Sequence, residues 1–151
     1  MVVCKGEPYA SEILPGVWLG TEISANNIDF LNKYKIKNII RILDTAPSLN
    51  DFTYLHIPMK SEKICDTDMT DYFNNAFDFI TDSILNKQNI LVHCKRGHHR
   101  SATLMVAYLV EKLNMDIHKV VSYIRLKRKC GLRYLHCMVQ KYIEYRINYV
   151  N

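Results

Sequence analysis

The sequence predicts an α/β domain: a central, mainly parallel sheet of about four to five strands, flanked by helices and closed by a helical C-terminal cluster. Short β-branched runs alternate with segments of helical period, as in βαβ units. After Arg100 the strand signals stop and three helical patterns follow. At 151 residues, with no internal repeat and no Pro/Gly/Ser-rich linker, the chain is one domain long enough to bury a core.

"PGVWLG" opens on a turn dipeptide and continues as a strand. "SANNIDFLNKYK" reads as a helix with Ser24 as its N-cap and Ile28, Phe30, Leu31 and Tyr34 on or beside one face. "KNIIRIL" (Lys37 to Leu43) is a buried strand, and "FTYLHIP" (Phe52 to Pro58) is another, stopped by proline. A polar loop follows. From Thr70 to Leu85, Phe73, Phe77, Ile80 and Ile84 fall at helical spacing, with Asp68 as a candidate cap. "NILVHC" is the next strand, too short and too evenly apolar for a helix. "SATLMVAYLVEKLN", "DIHKVVSYIRLKRK" and "LRYLHCMVQKYIEYRI" are the closing helices. The domain is expected over residues 12–148, with 1–11 as an N-terminal extension.

Composition excludes several classes. No apolar run nears the roughly 18 residues of a bilayer span, and the N-terminus lacks a secretory pattern. Five cysteines at irregular spacing argue against a disulfide framework, so an intracellular, reducing setting, cytoplasmic or nuclear, is expected. A net charge of +5 favours anionic partners without implying nucleic acid. The excess is concentrated in "CKRGHHR" and "RLKRKCGLR"; the second cluster reads first as a solvated helix face and second as a phosphate-facing surface.

The chemistry sits in "NILVHCKRGHHRSATLMV". In a parallel sheet, ligands bind at the carboxyl ends of the strands, and Cys94 falls there. Amide groups of the following loop and first helical turn suit an anion. Gly97 allows the backbone to curl. A thiol at a helix N-terminus among cations ionises more readily than a free one and becomes a nucleophile. Arg100 offers a planar fork to two phosphate oxygens. Ser101 can donate a hydrogen bond to the sulfur as it departs. His93 fits a role in organising the loop by hydrogen bonding. The inert alternative is a buried cysteine at a strand end. Histidines and cysteines including His136 and Cys137 match no common zinc spacing, so neither metal nor cofactor is expected.

"HCKRGHHRS" resembles the His-Cys-five-residues-Arg-Ser/Thr signature of cysteine-dependent protein tyrosine phosphatases. "ILPGVWLGTEISANNIDFLNKYKIKNIIRI" and "HIPM…TDMTDYFNNAFDFI" resemble segments of the dual-specificity branch, and together these cover most of residues 12–128. The resemblance implies hydrolysis of phosphotyrosine, phosphoserine or phosphothreonine through a phosphocysteine. Cys94, Arg100 and Ser101 would then be catalytic, and Lys95, Arg96, Gly97, His98, His99 and Arg100 would bind phosphate.

Relatives carry an aspartate as general acid a few residues beyond the Ile-Pro strand end. Here that column holds Ser61 counted forward, or Lys63 counted back from the next helix. Glu62 is the carboxylate between them and the first candidate; Asp66 is the next; the absence of a positioned acid is the third outcome. Relatives also carry a Pro-Asn turn before the last helix, replaced here by "RKCGLRYLHC". The basic loop interior resembles lipid phosphatases and inositol-pyrophosphate phosphatases as well. The substrate is thus expected to be a phosphoprotein or a polyphosphorylated small molecule, and a phosphate-binding pseudophosphatase is the non-enzymatic alternative.

Overall fold

The computed structural model describes residues 9–59, 69–129, 132 and 137–149. Five strands form one sheet in the order β1-β2-β5-β3-β4. They are β1 (Ala10–Leu14), β2 (Val17–Gly20), β3 (Ile36–Ile42), β4 (Thr53–Ile57) and β5 (Asn89–His93). Only the β1–β2 pair is antiparallel; β2–β5, β5–β3 and β3–β4 are parallel. The helices are α1 (Glu22–Ala25), α2 (Ile28–Lys33), α3 (Phe73–Leu85), α4 (Arg100–Leu113), α5 (Ile117–Lys127) and α6 (Cys137–Tyr149), with a 3-10 turn at Thr70–Tyr72 leading into α3. None of the described helices is long and apolar enough to cross a membrane.

Side-chain alternation along the strands assigns the two faces. Ile40, Ile42, Ile90 and Val92 join the core shared with α3, α4, α5 and α6. Ile39 and Leu91 turn the other way, onto Ala25 and Leu31 of α1 and α2. α4 is buried from Arg100 through Val110, so it is the central helix of the larger layer. Each fully buried Leu or Val there contributes about 1.5–3 kcal/mol.

Local chemistry corrects several expectations. The helix predicted from Ser24 is two short helices. Thr21 caps α1 by accepting from the Ser24 amide, while the Ser24 hydroxyl accepts from the Thr21 amide; Ser24 is therefore the reciprocal partner in a capping box. Asn27 caps α2 through its side-chain oxygen, which accepts from the Phe30 amide at 3.1 Å. Leu31 is fully buried, but Ile28 is exposed. Strand β1 was not predicted; Ala10 and Ser11, placed by the sequence in an N-terminal extension, belong to it. The capping position before the 3-10 turn is Met69, with no side-chain cap bond; Asp68 lies outside the described residues. The last helix is described from Cys137 rather than Leu132. Among the described cysteines Cys94 is free, whereas Cys137 is disulfide-bonded, which runs against the reading of the cysteine spacing as free of disulfides.

Candidate active site

β5 ends at His93, Cys94 follows, and α4 begins at Arg100, so the loop spans a strand's carboxyl end and a helix N-terminus. Parallel pairing sets β2 and β3 on either side of β5, placing Gly20 and Arg41 level with His93.

The direction of the loop's peptides follows from who holds its carbonyls. The His93 Nδ1–H donates to the Cys94 carbonyl at 3.0 Å. The Glu22 amide donates to the Lys95 carbonyl at 3.0 Å, and the Leu132 amide to that of His98 at 2.7 Å. Buried Arg128 donates from Nη2 to the Arg96 carbonyl at 3.2 Å and from Nε to the Gly97 carbonyl at 3.1 Å. Its Nη1 reaches Ser11 Oγ at 3.3 Å. In a trans peptide the N–H points opposite to the C=O. Carbonyls drawn outward from Cys94 to His98 therefore turn the amides of residues 95–99 toward the concave side of the loop. One of these inward amides is seen in contact with the sulfur: Gly97 N–H donates to Cys94 Sγ at 3.3 Å. A ring of inward amides is an anion cradle.

Gly97 is required twice over. Its φ of +67° lies in the left-handed region, and a Cβ there would meet the Gly20 carbonyl oxygen at 2.7 Å. Gly20 is equally confined, since a Cβ on it would meet Ser24 Oγ at 2.6 Å. β2 and the loop thus pack backbone to backbone.

Cys94 Sγ lies 3.2 Å from Ser101 Oγ. Burial pushes the Cys94 thiol up, but hydrogen bonds from the Ser101 hydroxyl and amide, the Arg100 charge and the Gly97 amide together hold it below the usual thiol range. Arg100 is buried, with Nη1 donating to the carbonyls of Ile42 at 3.1 Å and Met59 at 3.0 Å. One edge of the guanidinium is so anchored to the ends of β3 and of the segment after β4, leaving the other edge as the fork. His93 is pushed down to about 4 by burial, against the bond to the Cys94 carbonyl and with the Arg41 and Arg100 charges adding to the effect. It is a neutral imidazole at neutral pH. Its Nε2 has no protein partner among the described residues.

The loop brings together Cys94, Gly97, Arg100 and Ser101. Lys95 and Arg96 are exposed, and His98 and His99 are half-buried with ring centroids 6.1 Å apart. Glu62 and Asp66 lie outside the described residues. No group of three His, Cys, Asp or Glu fit to hold a metal occurs among the described residues. Sequence reasoning missed Arg128, Glu22 and Leu132. Arg128 was assigned to the solvated cluster, where Arg125, Lys127 and Lys129 are indeed exposed; it turns inward as the cap residue just past α5.

A nucleophile-ready cysteine in an amide cradle at a strand-to-helix junction defines the class of cysteine-dependent phosphatase folds. Residues 17–146 match the family "Dual specificity phosphatase, catalytic domain", and the chain belongs to that family. It is 37% identical over 129 residues to dual specificity protein phosphatase 1B of Arabidopsis thaliana, covering 82% of this chain and 74% of the relative. It is 32% identical over 124 residues to human dual specificity protein phosphatase 7, covering 80% of this chain but only 29% of that protein's length. The crystal structure of DUSP15 superposes with a TM-score of 0.83 at 29% identity, covering 93% of this chain and 88% of that one. The human tyrosine phosphatase-like serine/threonine/tyrosine-interacting protein superposes at 0.81 and 26% identity, covering 94% and 98%.

Proposed function

We propose that the chain is a cysteine-dependent protein phosphatase that hydrolyses phosphomonoesters of tyrosine, serine and threonine. The carrying observation is the inward ring of amides with Cys94 Sγ at its base, already held by the Gly97 amide. A phosphate seated on the ring meets the sulfur below and the free edge of Arg100 beside it. The thiolate attacks phosphorus; the S–P bond forms as the bond to the ester oxygen breaks, and that oxygen takes a proton. Glu62 is the proton donor the sequence favours, with Asp66 second. Water then attacks the phosphocysteine, the P–S bond breaks, and the water's proton passes to the same carboxylate. The Ser101 hydroxyl, 3.2 Å from sulfur, stabilises the departing thiolate. An intracellular location is part of this proposal because turnover requires a free Cys94; the disulfide at Cys137 points the other way.

A second substrate reading rests on the basic character of the loop: Lys95 and Arg96 would meet the further phosphates of a polyphosphorylated small molecule hydrolysed at the same centre, whereas as outward-facing cations they would simply keep the loop soluble. A panel of phosphopeptides and inositol pyrophosphates ranks the two.

Hydrolysis of para-nitrophenyl phosphate by the wild type and by Cys94→Ser tests the core reading. Turnover is expected in the wild type and abolished in the variant, with phosphate binding retained. Bound phosphate without wild-type turnover would make the chain a phosphate-binding pseudophosphatase. If turnover is seen, Glu62→Gln against Asp66→Asn assigns the acid by loss of the basic limb of the pH profile.

A further inference from the structure

Arg41 is a buried cation that the chemistry above does not use. It is the penultimate residue of β3, 6% exposed, with His93 level with it on β5 and His56 on β4. Burying a guanidinium is costly unless it is paired and hydrogen-bonded. Nε donates to the Thr45 carbonyl at 2.8 Å and Nη2 to the Thr45 hydroxyl at 2.6 Å. The anion it faces among the described residues is Glu22, with Oε2 3.7 Å from Nη2.

Glu22 is also the residue whose amide holds the carbonyl of Lys95, the first residue after the nucleophile. Its two ends thus do separate things: the backbone fixes the loop and the carboxylate is tied to Arg41. The next residue of β3, Ile42, gives its carbonyl to Arg100. Consecutive residues of one strand end therefore bracket the phosphate loop at its first and last positions, Lys95 through Glu22 and Arg100 directly.

We infer that Arg41 and Glu22 are positioning residues for phosphate binding: the buried guanidinium holds the first turn of α1 so that the Glu22 amide keeps the Lys95 carbonyl outward and the Arg96 amide toward the bound oxyanion. α1 has only four residues, too few to hold its own place by helix cooperativity; Ala25 packs its last residue on Ile39 and Leu91, while Glu22 at its start is held by the capping box and by Arg41. Among the described residues the Arg41–Glu22 pair is the polar link from α1 to β3.

The inference rests on the phosphate-site reading, and its test is equilibrium binding of inorganic phosphate by calorimetry, which needs no turnover. Glu22→Gln keeps the backbone donor and removes the charge; phosphate affinity is expected to fall about 3-fold. Arg41→Met removes the pair and the Thr45 bonds, and affinity is expected to fall about 10-fold, one decade corresponding to 1.4 kcal/mol. Arg41→Lys should recover part of that loss. The double variant should bind no worse than Arg41→Met, because both act through one link. Fully additive losses, or unchanged affinity in Glu22→Gln with only a lower melting temperature, would overturn the inference. Lost affinity in the variants of a chain without turnover would uphold it while sinking the enzymatic reading. A wild type that binds no phosphate would sink both.

Discussion

The nucleophile loop and the α3–α4–α6 side of the domain are both dense with polar and aromatic groups, yet they use them in opposite ways. Around Cys94 the scaffold satisfies the outward carbonyls from Cys94 to His98 and aims the amides of the same peptides inward. On the helical side everything closes on itself. Phe73 stacks on Phe77 with centroids 5.4 Å apart and meets Tyr142 edge-on at 5.6 Å. The Tyr142 hydroxyl donates to Glu111 at 2.6 Å, and Arg146 lies 3.4 Å from the same carboxylate. Function belongs where hydrogen bonding organises a concavity for something absent from the chain; stability belongs where packing leaves nothing to bind. Perturbing the first region should therefore change binding and rate before melting, and perturbing the second should do the reverse.

Arg128 is the sharpest probe of that division, since one side chain holds two of the outward carbonyls. Arg128→Met should release both peptides and lower kcat/KM by about 10²- to 10³-fold, the scale of losing oriented oxyanion donors. Phosphate affinity should fall with it. A variant that melts early but binds phosphate normally would place Arg128 with the helical side.

How much of this was legible follows from the kind of signal involved. Cys94, Gly97, Arg100 and Ser101 fall within one nine-residue stretch, 93–101, and their types are dictated by what they do, so the loop could be read from it. Its supports could not. Glu22 and Leu132 act through backbone amides, which carry no residue-type signature, and the Arg128 guanidinium meets carbonyls more than thirty positions away in the chain. Within "RLKRK" nothing distinguishes the one cation that turns inward. The sheet was readable from its β-branched runs, except for β1, whose "ASEIL" is short and takes its order from pairing with β2. The α1–α2 break was hidden because Ser24 and Asn27 both suit a cap, and tertiary position decided between them. The Pro-Asn turn missing before the last helix did not leave the loop unsupported: Leu132 and Arg128 hold it from that side.

His93 belongs to the first region: it is buried, level with Arg41, and its ring holds the Cys94 carbonyl. Its folded pKa of about 4 lies below the ordinary value near 6.5, so the unfolded chain binds the extra proton between those limits. Stability should rise with pH across that window and be lost as pH falls from 6.5 toward 4, by about 3 kcal/mol at most. Because Cys94 is also held below its usual range, it too favours the folded state above its folded pKa and withdraws that support on acidification. Denaturant midpoints measured from pH 7 to 4 in a Cys94→Ser background isolate the histidine. A slope unchanged by adding His93→Gln would assign the acid sensitivity to another group.

The smallest expected effect tests the helical side alone. Tyr142 is buried, and burial first, then the bond to Glu111 and the carboxylate's charge, raise its phenol well above the ordinary range. The raised value means that the protonated phenol stabilises the fold at all pH values below about 10 and ceases to do so only in strong alkali. Tyr142→Phe keeps the ring contacts with Phe73 and Tyr145 and removes the hydroxyl, leaving Glu111 with Arg146. The loss should be about 1 kcal/mol in urea unfolding, the net worth of one such hydrogen bond. kcat/KM and phosphate affinity should not move, because among the described residues Tyr142 bonds and stacks with Glu111, Phe73 and Tyr145 rather than with the loop. A change in phosphate affinity of more than about 3-fold would show that the two regions are coupled through α4, whose first residue is Arg100 and whose last turn carries Glu111.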